Sequence, residues 1–539
     1  MPNYSTISNE GSSSSAGLGT TGDMTRHRRS HGRQKDGGGG GQASMISSVI
    51  NLLNTIVGAG TLAMPSAMSH FGMTLGIIAI VWSGFTSAFG LFLQSRCARY
   101  LDRGSSSFFA LSQMTYPNAA VIFDAAIAIK CFGVGVSYMI IIGDLMPGVV
   151  VGFDSRAAEV PYLVDRNFWI TVFMLVIIPL SFLRRLDSLK YTSIVALVAI
   201  GYLIVLVVYH FASDTLAPRE KVKLVTWGGP VEALASLPVV IFAYTCHQNM
   251  FSILNEIKDY SPISVMGVIF SSIGSAAGIY VLVAITGYLT FGDDVAGNIV
   301  SMYPPSIAST IGKAAIVVLV TFSIPLQVHP CRASVDAVLK WRPNARSALQ
   351  TRTSSPGSRP LLSSTARSDH GAGAPMSDSR FAFLTTIILV LAYMTALTVS
   401  SLERVLAYVG STGSTSISFI LPGLFYYKIS DPDSIHQQRL TKEDDDALSP
   451  HASDSGDADD DEGLLGASVT SLHSAASGSS NTRNTTKSPA WRWRKKWRWD
   501  MEHLNPIHLR RAALALSIYG FCVMVVCLVM NLVGSYTTH

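Results

Sequence analysis

Charge is scarce in this chain. Of 539 residues only 14% are Asp, Glu, Lys or Arg, against 48% hydrophobic and a mean hydropathy of +0.35, where an ordinary soluble domain carries about a quarter charged residues. That shortage excludes a protein solvated mainly by water. Cysteine is scarce too. The six, Cys97, Cys131, Cys246, Cys331, Cys522 and Cys527, fall in apolar runs or at their cytoplasmic ends, which leaves no disulfide framework for a secreted ectodomain. Cys97 and Cys331 stand at membrane edges, where a thiol either carries a palmitoyl chain or fills space as a small hydrophobe. No P-loop, HExxH or CxxC pattern occurs, which argues against an ATP-driven pump or a metalloenzyme. Residues 1–43 are Gly/Ser-rich and basic, with no apolar core of a signal peptide, so the first apolar run is expected to direct its own insertion.

Long apolar runs fill the rest. Crossing a bilayer takes roughly 20 apolar residues in a helix, and eleven runs qualify: 44–68, 72–95, 119–149, 168–183, 189–212, 231–254, 264–290, 307–330, 381–399, 402–427 and 507–533. They are numbered spans 1 to 11 below. Backbone groups cannot go unpaired in hydrocarbon, and continuous hydrophobicity rules out the alternation of a barrel strand, so the runs are read as helices. With the N-terminus in the cytoplasm, the inward segments hold 30 of the 40 Lys and Arg and the outward ones five. Positive residues collect on the cytoplasmic side, and an odd span count then puts the C-terminus in the lumen. Both glycosylation sequons, at Asn3 and Asn484, fall on the side where that modification does not occur.

Four regions follow: a cytoplasmic arm 1–43, a core 44–427 holding spans 1 to 10 and a cytoplasmic loop 341–378, a long cytoplasmic loop 428–506, and span 11 with the C-terminus, 507–539. The arm and both loops have the composition of disorder. The longer loop carries acidic clusters and then WRWRKKWRW, from Trp491 to Trp499. Tryptophan favours the membrane interface and each basic residue adds roughly 1 kcal/mol of attraction to anionic headgroups. Bilayer anchoring therefore explains this run better than nucleic-acid binding.

Two spans are interrupted. Span 1 reads INLLNTIVGAGTLAMP, with Gly58, Ala59, Gly60 and Thr61 at its centre and Asn54 and Thr55 one turn earlier; glycine weakens the helix there. Five spans later, span 6 holds an unbroken polar run from Tyr244 through Thr245, Cys246, His247 and Gln248 to Asn249, and such groups turn away from lipid. A small-residue stripe can simply be a packing surface. Paired breaks five spans apart fit an inverted repeat of five plus five, with span 11 appended. A broken helix offers an N-terminal end that suits a carboxylate and a C-terminal end that suits a cation or ammonium. A zwitterion matches both.

Four stretches, INLLNTIVGAGTLAMP, YTCHQNMFSILNEIKDYSP, TFSIPLQVHPCR and GSTGSTSISFILPGLFYYK, together resemble the amino acid/auxin permease family, most nearly its fungal vacuolar transporters and the sodium-coupled neutral amino acid transporters. The resemblance covers all eleven spans but not the arm or the long loops. It implies an all-α, LeuT-like amino acid permease of the vacuolar membrane, not an enzyme, without a cofactor and driven by H+ or Na+. It also implies a substrate site at Thr55, Gly58, Ala59, Gly60 and Thr61 facing Phe242, Ala243, Tyr244 and Thr245, with Tyr244 as gate. Asn54, Thr321 and Ser323 match the ion-facing positions of sodium-coupled relatives. Membrane hydroxyls also commonly bond their own helix. His247 is either a proton-coupling group, since imidazole titrates near physiological pH, or a packing residue beside the break.

Ionisable residues within spans are functional suspects, here Asp124, Lys130 and Asp144 in span 3 and Lys313 in span 8. Lys130 stands nearly two turns from Asp124 and off its face, so the sequence does not pair them. Glu256 and Lys258 mark either a cytoplasmic gate or a solvated helix end. Two further readings stay open: an amino acid sensor signalling through its cytoplasmic segments, and sodium-coupled uptake at the plasma membrane.

Overall fold

A computed structural model of the chain describes residues 43–101, 104, 106–183, 192–213, 217–226, 228–340, 376–434, 438 and 506–537. The run from Trp491 to Trp499, the loop 341–378 up to residue 375 and the acidic clusters lie outside the described residues.

Over its described residues each of the eleven apolar runs is largely helical. Among the described residues eight helices are long and apolar enough to cross a membrane, or nine with one bent pair taken as a single span. Arg166–Ser181, at span 4, is shorter. Span 10 is divided into Leu402–Val409, two π-helical turns at Gly410–Ser414 and Ser416–Ile420, and Leu421–Ile429. Wide turns of this kind recur at functional sites. Here they follow from GSTGSTSISF, whose hydroxyls bond back to the chain, Thr412 to Tyr408 O at 2.6 Å and Thr415 to Gly410 O at 2.7 Å.

Span 1 is the bent pair. Met45–Ile56, capped by the Ser44 hydroxyl accepting from Ser47 N, runs into Ala59–Phe71 at a 55° angle. The break is narrower than the glycines imply: it occupies Val57 and Gly58, and Ala59, Gly60 and Thr61 already form the first turn of the second helix. Burial explains the difference, because Gly60 and Thr61 are enclosed and pack too closely to leave the helix. Span 6 breaks likewise into Pro230–Ala243 and His247–Glu256, with Tyr244, Thr245 and Cys246 between. His247, Gln248 and Asn249, polar but good enough helix formers, open the second half.

Around the broken pair stand the two longest helices, Ala120–Phe153 in span 3 and Ile307–Lys340 in span 8, 34 residues each, lying along one another. The latter continues through Pro325 and Pro330, ten residues past the expected end of span 8. The first half of span 1 packs on span 7, Pro262–Phe291, and its second half on the first half of span 6. Span 11, Pro506–Thr537, covers span 10 and the first half of span 6.

Candidate functional site

The two breaks touch. A Cβ added at Gly60 would stand 2.5 Å from Ala243 Cβ and 2.8 Å from Ala243 Cα, so the two chains approach as closely as a glycine allows. Across the same junction the Tyr280 hydroxyl, from span 7, lies 2.7 Å from Ile56 O and 2.8 Å from Ala243 O. These are the last carbonyls of the two first half-helices, and one phenolic proton is shared between them. Asn249 Nδ2 donates to Thr55 Oγ1 at 2.9 Å. Farther along, Ala43 bridges to Ile257, with Ala43 N on Glu256 O and Lys258 N on Ala43 O, both 2.9 Å. Spans 1 and 6 are thus fastened at the breaks and at one end.

Beside the junction lies a cavity of about 490 Å³, in the size range of small-molecule sites. Its walls come from spans 1, 3, 5, 6 and 8, and it extends from the breaks to Ser106, Phe109 and Ser334. Polar groups converge on it. Ala59–Phe71 begins without a side-chain cap, so the Ala59 and Gly60 N–H groups face the break with the positive end of a helix behind them. Asn54 Oδ1 and Gln248 Oε1, both on lining residues, are buried acceptors without a protein donor. Buried polar atoms are normally satisfied; these two have almost no surface open to the cavity and meet a ligand when their amides turn toward it. The arrangement presents donors and acceptors a few residues apart, which suits a molecule carrying both a carboxylate and an ammonium group.

Among residues named from the sequence, Asn54, Thr55, Gly58, Ala59, Gly60, Phe242, Ala243, Thr245 and Ser323 line the cavity. Thr61, Tyr244, His247 and Thr321 do not. Tyr244, fully buried, has its ring against Gly84 of span 2 and edge-on to Tyr280 at 5.1 Å. Its neighbours in sequence reach the cavity because the turn at the break sends 244 to the opposite side. His247, also fully buried, lies behind the wall with Nε2 3.2 Å from Ser87 O. Thr321 and Ser323 donate to Val317 O at 2.7 Å and Leu319 O at 2.8 Å, the ordinary back-bonding of membrane hydroxyls.

At the opposite end of the bundle side chains tie the spans together. Arg166 Nε meets Asp144 Oδ1 at 3.2 Å, and Nη2 donates to Ala396 O at 3.1 Å and Val399 O at 3.0 Å, tying spans 3, 4 and 9. Glu403 at the start of span 10 accepts from Ser66 at 2.8 Å and Ser236 at 3.2 Å and lies 3.3 Å from His70 Nε2, tying spans 1, 6 and 10. Arg166→Gln leaves the Asp144 carboxylate and two carbonyls without their donor. It is expected to destabilise the protein by about 1–3 kcal/mol, seen as a lower thermal midpoint in detergent. An unchanged midpoint would show that the cluster is replaced by water at no cost.

Sequence reasoning missed Tyr280, Gln248 as a cavity residue, and the Arg166 and Glu403 clusters. For Tyr280 a signal existed: a phenol in the middle of an apolar run needs a partner for its hydroxyl.

The comparisons agree with this architecture. A family model described as transmembrane amino acid transporter protein matches residues 41–445. The chain is 45% identical over 391 residues to vacuolar amino acid transporter 5 of Schizosaccharomyces pombe, covering 72% of this chain and 86% of that protein. It is 43% identical over 408 residues to vacuolar amino acid transporter 6 of Saccharomyces cerevisiae, covering 72% and 90%. More distantly, it is 24% identical over 422 residues to sodium-coupled neutral amino acid symporter 2 of Danio rerio, covering 73% and 77%. The chain belongs to the transmembrane amino acid transporter family.

Proposed function

We propose that the chain is a secondary active amino acid transporter of the vacuolar membrane, driven by the proton gradient and working by alternating access. The observation that carries this reading is the cavity between two broken helices, with free N–H groups on one wall and unpaired side-chain acceptors on another. The substrate carboxylate sits on the Ala59 and Gly60 N–H groups, its ammonium meets the Asn54 and Gln248 oxygens, and Phe242 and Ala243 border the side chain. The vacuolar placement is supported by the names of the two fungal relatives.

The cavity extends toward residues 106–109 and 334, the side that the Lys and Arg distribution assigns to the cytoplasm, while the Arg166 and Glu403 clusters tie the spans together on the lumenal side. This conformer therefore faces the cytoplasm, and the other is reached when spans 1 and 6, fastened to each other, rock as one body against spans 3 and 8. His247 is the coupling residue of this reading, one wall removed from the substrate.

Purified protein in liposomes with a pH gradient and labelled amino acids tests it. Gradient-dependent uptake is expected, unchanged when choline replaces sodium. Binding without uptake would sink the transport reading and favour a sensor. Sodium-dependent uptake would move the coupling to Asn54, Thr321 and Ser323, and His247→Ala with full pH coupling would place the proton elsewhere.

A further inference from the structure

The cavity wall holds one cation among its described residues. Lys130, in the middle of Ala120–Phe153, is 4% exposed and lines the cavity. Among the described residues it makes no hydrogen bond and no ion pair. Its surroundings leave it few directions. Span 10 presses on its backbone, since a Cβ at Gly413 would stand 2.9 Å from both Lys130 N and Lys130 Cβ. Cys131 beside it and Thr245 at the break of span 6 line the same cavity.

The one carboxylate on the cavity wall, Asp124, is six residues away. That is about 9 Å along the helix and about 120° around it, and no ion pair joins the two. A buried ammonium without a counter-charge is costly, and among the described residues the space that this one borders is the cavity. The substrate's own α-carboxylate and ammonium already have their partners at the broken helix ends, so a cation beyond these is matched by a second carboxylate.

We propose that Lys130 is a specificity-determining residue that receives the side-chain carboxylate of acidic amino acids and repels cationic side chains. This rests on the transport reading above. Like-charge exclusion is as much a part of such selectivity as attraction.

The test compares uptake of labelled glutamate, alanine and lysine at low substrate by the wild-type chain, Lys130→Met and Lys130→Arg in liposomes. Lys130→Met is expected to lower glutamate uptake at least about tenfold, as removal of one partner from a buried charge pair does. Alanine uptake stays within about threefold, lysine uptake rises, and Lys130→Arg keeps the glutamate preference. An equal fall for glutamate and alanine would make the role structural and overturn the assignment. So would a wild-type chain that takes up alanine but not glutamate, which leaves the transport reading standing. If Lys130→Met does not fold, thermal stabilisation by glutamate decides: retention in Lys130→Arg and loss in Lys130→Gln supports the assignment, and retention in both overturns it.

Discussion

Replacing Gly60 by valine is expected to cut amino acid uptake by more than about a hundredfold. The added Cβ meets Ala243 Cβ at 2.5 Å and, more importantly, Ala243 Cα at 2.8 Å. The second contact is with backbone, so no rotamer relieves it. Ala243 ends Pro230–Ala243 and is held through its carbonyl by Tyr280, so the broken spans would have to part by roughly 1 Å. A displacement of that size between groups that must act on one ligand costs on the order of a hundredfold. Alanine, lacking the branched methyls, is expected to fall between. Liposome uptake beside a melting curve separates a folded, inactive G60V protein from an unfolded one. A folded protein transporting at half the wild-type rate would show that the close approach has no part in function.

Much of this was legible in the sequence because lipid imposes a simple rule. A run that must satisfy its own backbone is a helix, and interruptions within such runs advertise themselves. The described residues of the eleven runs are largely helical, eight or nine of the helices being long and apolar enough to cross, and the junction of spans 1 and 6 lies where INLLNTIVGAG and the polar stretch after Ala243 put it. Composition could not assign each side chain a direction at a break, where helical periodicity stops. Thr245 reaches the cavity and Tyr244 turns to Gly84 and Tyr280, although both belong to one polar run. The ties at the opposite end were illegible for another reason. Ser66 and Glu403 are 337 residues apart, and nothing local in either sequence announces the other. Glu403 opens a span as any helix-start acid would, and only the fold discloses that it gathers spans 1 and 6. Lys130 stands out in the sequence as an ion within a span, but the fact that matters is the missing partner, which only three dimensions can supply.

The second large effect is expected at Tyr280. Its hydroxyl closes the C-terminal ends of both first half-helices, at Ile56 O and Ala243 O, so the residue is a clasp between the two broken spans rather than a wall of the cavity. Tyr280→Phe keeps the ring and its edge-on contact with Tyr244 but leaves two buried carbonyls sharing no donor. An orphaned buried acceptor costs about 1–3 kcal/mol, so a loss of about 2–4 kcal/mol in stability is expected, with uptake reduced on the order of thirtyfold or more as the junction loosens. The two readouts divide the explanations. A lower melting point with normal uptake would make the hydroxyl purely structural. Unchanged values of both would mean that water reaches the junction and takes over the bonds, in which case the two spans are not clasped and need not move as one body. A drop in uptake larger than the loss of folded protein is the outcome that ties Tyr280 to the rocking of spans 1 and 6.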